Sequence, residues 1–124
     1  MSPLAWATLV AAGAVGAPAR YLLDRAVAER AEGAFPWGTF VINLTGSFLL
    51  GLLTGLGLDH GVPKVPRVVL GAGFCGAYTT FSTFTFETVR LLEEGAVAEA
   101  LRNAAGTLAA GAMAAAAGLA VAAG

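Results

Sequence analysis

Asn43, Thr79, Thr80, Ser82, Thr83 and Thr85 are neutral hydrogen-bonding residues set inside long uncharged stretches, with Phe81 and Phe84 spaced among them. An amide brings two N–H donors and an acceptor, and a hydroxyl brings one donor and two lone pairs. Phe81 and Phe84 stand three apart, so a helix places both rings on one face. A phenyl ring is negative over its face and positive at its edge. Ring edges and neutral donors turned toward one space would hold an anion without any full positive charge. They would also hold it weakly enough to release it. Each feature has a plain packing reading as well: Asn43 bonded to a neighbouring helix, and both rings in the core or in lipid.

The same segment, "GAGFCGAYTTFSTFTFET" at 71–88, carries Gly71, Gly73 and Gly76 ahead of its hydroxyl-rich part. Glycines followed by Thr79 and Thr80 predict a break in a helix. Broken backbone inside a membrane is tolerated only where it is buried or lines a cavity. Its freed carbonyls could bind a small cation. A merely kinked helix with back-bonded hydroxyls is the other reading.

What must position these residues follows from where the charges are. The chain has 124 residues, of which 57% are hydrophobic and 12% charged. Its mean hydropathy is +0.76. A soluble domain carries about 25% charged residues. All charges fall within 20–32, 59–67 and 87–102, leaving uncharged runs 1–19, 33–58, 68–86 and 103–124. A helix needs about 20 mostly apolar residues to cross a bilayer core of about 30 Å. The expectation is an all-α integral membrane protein of one domain, residues 1–124. Its four transmembrane helices are expected near 4–23, 38–58, 67–92 and 97–123, the third broken mid-membrane. A cleaved leader would need a basic segment before its apolar stretch, and the first run has none.

Composition excludes other classes. One cysteine, Cys75, and one histidine, His60, leave no disulfide framework and no cysteine zinc cluster. No nucleophile–base pair suggests an enzyme. A net charge of −1 offers no basic surface for nucleic acid. A proton-coupled multidrug exporter of four helices would want a carboxylate inside helix 1, which has none. A non-conducting membrane scaffold would explain the small residues but not the Asn/Thr/Ser/Phe cluster. Residues 103–124 hold sixteen Ala or Gly, and Gly51 and Gly55 form a small-xxx-small pair. Both suit close helix packing and an oligomer. An even number of spans sets Lys64 and Arg67 against Arg25, Arg30, Arg90 and Arg102, with Arg20 near that boundary. This bias is weak, and it allows either dual insertion or one fixed topology.

Three segments carry a resemblance: "GAVGAPARY" in helix 1, "WGTFVINLTGSF" in helix 2 and "GFCGAYTTFSTF" in helix 3. Together they resemble the Fluc (CrcB) fluoride ion channels along nearly the whole chain. The resemblance implies a dual-topology antiparallel homodimer, multi-pass in the cell membrane, with two antiparallel pores for passive fluoride export. A heterodimer with a paralogue is the lesser alternative, since this chain keeps the motif residues itself. Carried over by motif, Asn43 is the pore-lining amide, Phe81 and Phe84 flank the ion, and Ser82 and Thr83 are hydroxyl ligands. Arg20 lies near the vestibule. Carbonyls of Gly76 and Thr79 from both subunits would hold a central structural sodium ion. In helix 4, Thr107 falls where the family has a polar-track hydroxyl. Asn103 replaces a frequent tyrosine, and Gly111 replaces a serine of some members. The expectation there is a shorter or water-filled polar track.

Overall fold

The computed structural model describes residues 1–124. Helix α1 spans Pro3–Arg30. The Ser2 hydroxyl caps it by accepting from the Ala5 N–H at 3.1 Å. Pro3 sits in the first turn, where a missing N–H costs nothing. The helix continues seven residues past the expected end near 23. Alanines and the Arg25–Glu29 pair four apart support these further two turns. The chain leaves the helix at Ala31, whose backbone is extended.

Helix α2 spans Trp37–Asp59. It ends in a turn through Gly61, with φ +64°, while the Val62 N–H reaches back to the Leu56 carbonyl at 3.2 Å. Helix α3 covers 64–78 without a gap: Lys64–Val68, a wide-turn π segment Val69–Cys75, and a last turn Gly76–Tyr78. It starts at Lys64 rather than near 67. Pro66 lies in the first turn, where its lack of an N–H is harmless.

Regular helix ends at Tyr78. Thr79 (ψ 162°) and Thr80 (φ −149°, ψ 123°) are extended, and helix α4 runs Phe81–Glu93. Gly95 then makes a tight C-terminal turn at φ +80°: the Ala96 N–H bonds the Leu91 carbonyl and the Gly95 N–H bonds Leu92. Helix α5 runs Val97–Ala123, with a second π segment at Arg102–Gly106. Only α2 and α5 are both long and apolar enough to cross a membrane alone.

Small residues decide the packing. A Cβ on Gly118 would strike the Phe48 carbonyl, and one on Gly51 would strike the Ala115 backbone. Helices α2 and α5 therefore meet backbone to backbone. Helices α1 and α3 meet likewise: a Cβ on Gly73 would lie 2.7 Å from the Leu9 carbonyl oxygen. Much of the outer surface is large and apolar, with Leu4, Val10, Leu22, Leu108 and Met113 exposed. That is the inverse of a soluble bundle, where such positions would be polar.

Candidate functional site

The extended pair Thr79–Thr80 is the centre of the site. An extended residue presents its N–H and C=O side by side, and inside apolar surroundings both need partners. Asn43 of α2 supplies them. Its Nδ2 donates to the Thr80 carbonyl and its Oδ1 accepts the Thr80 N–H, both at 2.9 Å. The packing reading of Asn43, a bond to a neighbouring helix, is thus present in the structure, and one amide hydrogen remains uncommitted. Thr79 closes the end of α3, its N–H and its hydroxyl both bonding the Cys75 carbonyl at 2.8 Å. Thr80 opens α4: its hydroxyl accepts the Thr83 N–H and donates to the Thr83 hydroxyl, each at 3.1 Å.

Beside this break lies a cleft of about 410 Å³. Asn43, Ser47 and Leu50 of α2, Phe81 and Phe84 of α4, and Thr107, Leu108 and Gly111 of α5 line it, together with Thr79 and Thr80. The two rings lie 6.0 Å apart between centroids and are tilted by 43°. Phe84 is 9% exposed and Phe81 76% exposed. No lining residue carries a charge.

Of the residues singled out from the sequence, the structure brings Asn43, Phe81, Phe84 and Thr107 to this cleft, with Thr79 at its edge. Ser82 and Thr83 do not line it. They are exposed on the first turn of α4, with Ser82 Oγ 3.4 Å from the Thr80 hydroxyl. Gly76 is exposed on the last turn of α3. Arg20 lies half-buried on α1 and lines neither this cleft nor its neighbours.

The departures on α5 find partners in the fold. Asn103 is wholly buried. Its Nδ2 donates to the Thr88 hydroxyl at 2.8 Å, and its Oδ1 accepts from the Thr107 hydroxyl at 3.2 Å. A hydrogen-bonded string therefore leads from the cleft into the space between α4 and α5. Gly111 has no side chain, but the Ser47 hydroxyl of α2 faces it, 3.5 Å from where a Cβ would stand. The polar lining continues there on the facing helix rather than ending. Sequence reading passed over Ser47, although its place one helical turn after Asn43 marks it.

Fold and cleft together define a class: a small, all-helical protein with an apolar exterior and an uncharged polar cleft beside a broken helix. The chain belongs to the CrcB family: the model described as "CrcB-like protein, Camphor Resistance (CrcB)" matches residues 7–119. It is 49% identical over 114 residues to "Fluoride-specific ion channel FluC 1" of Streptomyces avermitilis, covering 92% of each chain. The protein of the same name in Frankia casuarinae is 48% identical over 123 residues, 94% of this chain and 95% of that one. "Fluoride-specific ion channel FluC 2" of Mycobacterium tuberculosis is 46% identical over 98 residues, covering 79% of this chain and 75% of that one.

Proposed function

We propose that this chain is a fluoride-selective channel, a membrane protein that lets fluoride leave the cell passively and so relieves its toxicity. One observation carries the reading. The amide of Asn43, the hydroxyls of Ser47 and Thr107, and the rings of Phe81 and Phe84 all line a single uncharged cleft. Fluoride is small and strongly hydrated, so a path for it must replace water with several directed donors. Larger, more weakly hydrated chloride would gain less from such donors. The names of the relatives agree.

The working unit in this reading is a homodimer of oppositely inserted copies in the cell membrane, each with four spans, α3 and α4 sharing the third. The exposed Phe81 supports a second copy, since one chain leaves half of the ring pair uncovered. The chain itself carries Asn43, both phenylalanines and Arg20, which favours like-with-like pairing over a heterodimer. Phe81 and Phe84 flank the ion, while Ser82, Thr83 and Thr107 offer hydroxyls along its way. Arg20 draws anions toward the vestibule.

A structural sodium ion fits the donor set. Ending α3 at Tyr78 leaves the carbonyls from 76 onward without helical partners, and carbonyl oxygens suit a hard cation. Gly76 and Thr79 would supply two such oxygens from each chain of a symmetric pair. The ion would neutralise the negative ends of the broken helices.

Purified protein in liposomes loaded with fluoride and chloride tests the channel reading. Fluoride leaves and chloride stays. Equal passage of both, or retention of both, ends it.

A further inference from the structure

A second cleft, of about 320 Å³, opens beside the first between α2 and α3. Leu50, Leu53 and Thr54 of α2 face Arg67 and Gly71 of α3 across it. Leu50 lines both clefts. On α2 the wall residues Asn43, Ser47, Leu50 and Thr54 follow at steps of four, three and four, which is one helical stripe. Eleven residues of helix rise about 16 Å, so the stripe leads from the broken helix well toward the end of α2.

Arg67 stands at that end. Its side chain lies over Gly57, where an added Cβ would fall 2.6 Å from Nε and 2.7 Å from Cζ. Its Nε donates to the Val62 carbonyl at 3.0 Å, which fixes the guanidinium plane. No carboxylate neutralises it: the ion pairs of the molecule are Arg25–Glu29, Arg90–Glu94 and Arg102–Glu99. The N–H groups on its two terminal nitrogens remain available. A half-buried cation, seated in a gap that only glycine leaves, with no acid against it, has the chemistry of a weak anion holder.

We infer that Arg67 collects small inorganic anions at one mouth of the path and passes them toward the Ser47 and Asn43 wall of the first cleft. This rests on the channel reading above. Its effect is electrostatic, so it is strongest at low ionic strength and low anion concentration.

The test places a charge beside Arg67 without touching it. Thr54 is exposed, and its hydroxyl bonds only the Leu50 carbonyl of its own helix. Cys75 is fully buried, so Thr54→Cys is the one accessible thiol. The variant, reconstituted in liposomes, is modified with a sulfonatoethyl or a trimethylammonioethyl methanethiosulfonate. The anionic adduct lowers fluoride flux roughly 3- to 10-fold at low salt, while the cationic adduct keeps or raises it. The difference vanishes near 1 M salt, where the Debye length is about 3 Å. Equal effects of both reagents, or none, overturn the role of Arg67. In a second arm, Arg67→Gln raises the fluoride concentration for half-maximal flux and Arg67→Lys restores it. Unchanged half-saturation in Arg67→Gln likewise overturns it. An adduct effect that appears only with anionic lipid present would assign Arg67 to a lipid phosphate and overturn the proposal. Wild-type protein that passes no fluoride would defeat the channel reading itself, so the two failures are distinct.

Discussion

Asn43 and the backbone of Thr80 exchange two hydrogen bonds of 2.9 Å, so a side-chain amide takes the place of a strand partner where the chain leaves its helix. The residue that lines the cleft also shapes it. Asn43→Asp would still accept the Thr80 N–H, but it could not donate to the carbonyl and would add a negative charge beside an anion path. Loss of a donor to a buried carbonyl costs about 1–3 kcal/mol, and about 1.4 kcal/mol is tenfold in rate. Fluoride efflux through Asn43→Asp should fall roughly 5- to 150-fold at pH 7, as read by a fluoride electrode on proteoliposomes. Efflux at the wild-type rate would show that the clamp has no part in conduction.

Phe81 and Phe84 share a face but not an environment, one ring exposed and the other buried. Isoleucine keeps much of the volume and removes the positive ring edge. Phe81→Ile and Phe84→Ile should each lower fluoride flux severalfold, with the size-exclusion profile unchanged for Phe81→Ile. The buried site has less room for a new shape, so Phe84→Ile should also lower thermal stability by about 1 kcal/mol. If both variants conduct like wild type, the rings are packing residues only.

Two glycines of α5 separate packing from lining. Gly118 touches the backbone of Phe48 and Leu52, whereas the space at Gly111 meets only the Ser47 hydroxyl at 3.5 Å. Gly118→Ala must push α2 and α5 apart and should destabilise by about 1–3 kcal/mol, the usual cost of overpacking. Gly111→Ala should fold normally, and Gly111→Ser should conduct at least as well as wild type. Thermal melting in detergent reads the first contrast and efflux the second. Equal melting temperatures for Gly118→Ala and Gly111→Ala would contradict the backbone contact.

Helices α2 and α5 lie within one residue of the expected 38–58 and 97–123 at each end, because a long apolar helix is written largely in composition. The end of α1 was harder to read. Its last two turns carry charges and lie outside the uncharged run, while the pairing of Arg25 with Glu29 favours helix. The chemistry-bearing residues of the cleft were mostly visible as polar groups within apolar stretches. What holds them was not. Asn43 reaches Thr80 across 37 positions, and Asn103 reaches Thr88 across 15. Such bonds depend on how helices dock, which periodicity within one helix does not contain. Arg67 became legible only once the Asn43 stripe on α2 had a cleft to face.

Balanced charges at the two ends of the spans lead to the last expectation. Lys64 and Arg67 lie at the turn between α2 and α3, whereas Arg25, Arg30, Arg90 and Arg102 lie at the ends that the other turns join. Orientation follows the excess of Lys and Arg on the cytoplasmic side, and Asp24, Glu29, Glu93 and Glu94 beside those arginines contribute little to it. A bias this small would let copies insert either way, as the antiparallel dimer proposed above requires. The buried Cys75 thiol makes the measurement clean, since a single cysteine added after Gly124 would be the only site open to a membrane-impermeant maleimide. About half of the tags should react from outside intact cells and the rest only after permeabilisation. Labelling from one side alone would mean a fixed topology, and the two-pore arrangement would have to be abandoned. Adding three lysines to the turn at 60–63 should then lock the orientation and remove fluoride flux, because copies facing the same way cannot pair antiparallel.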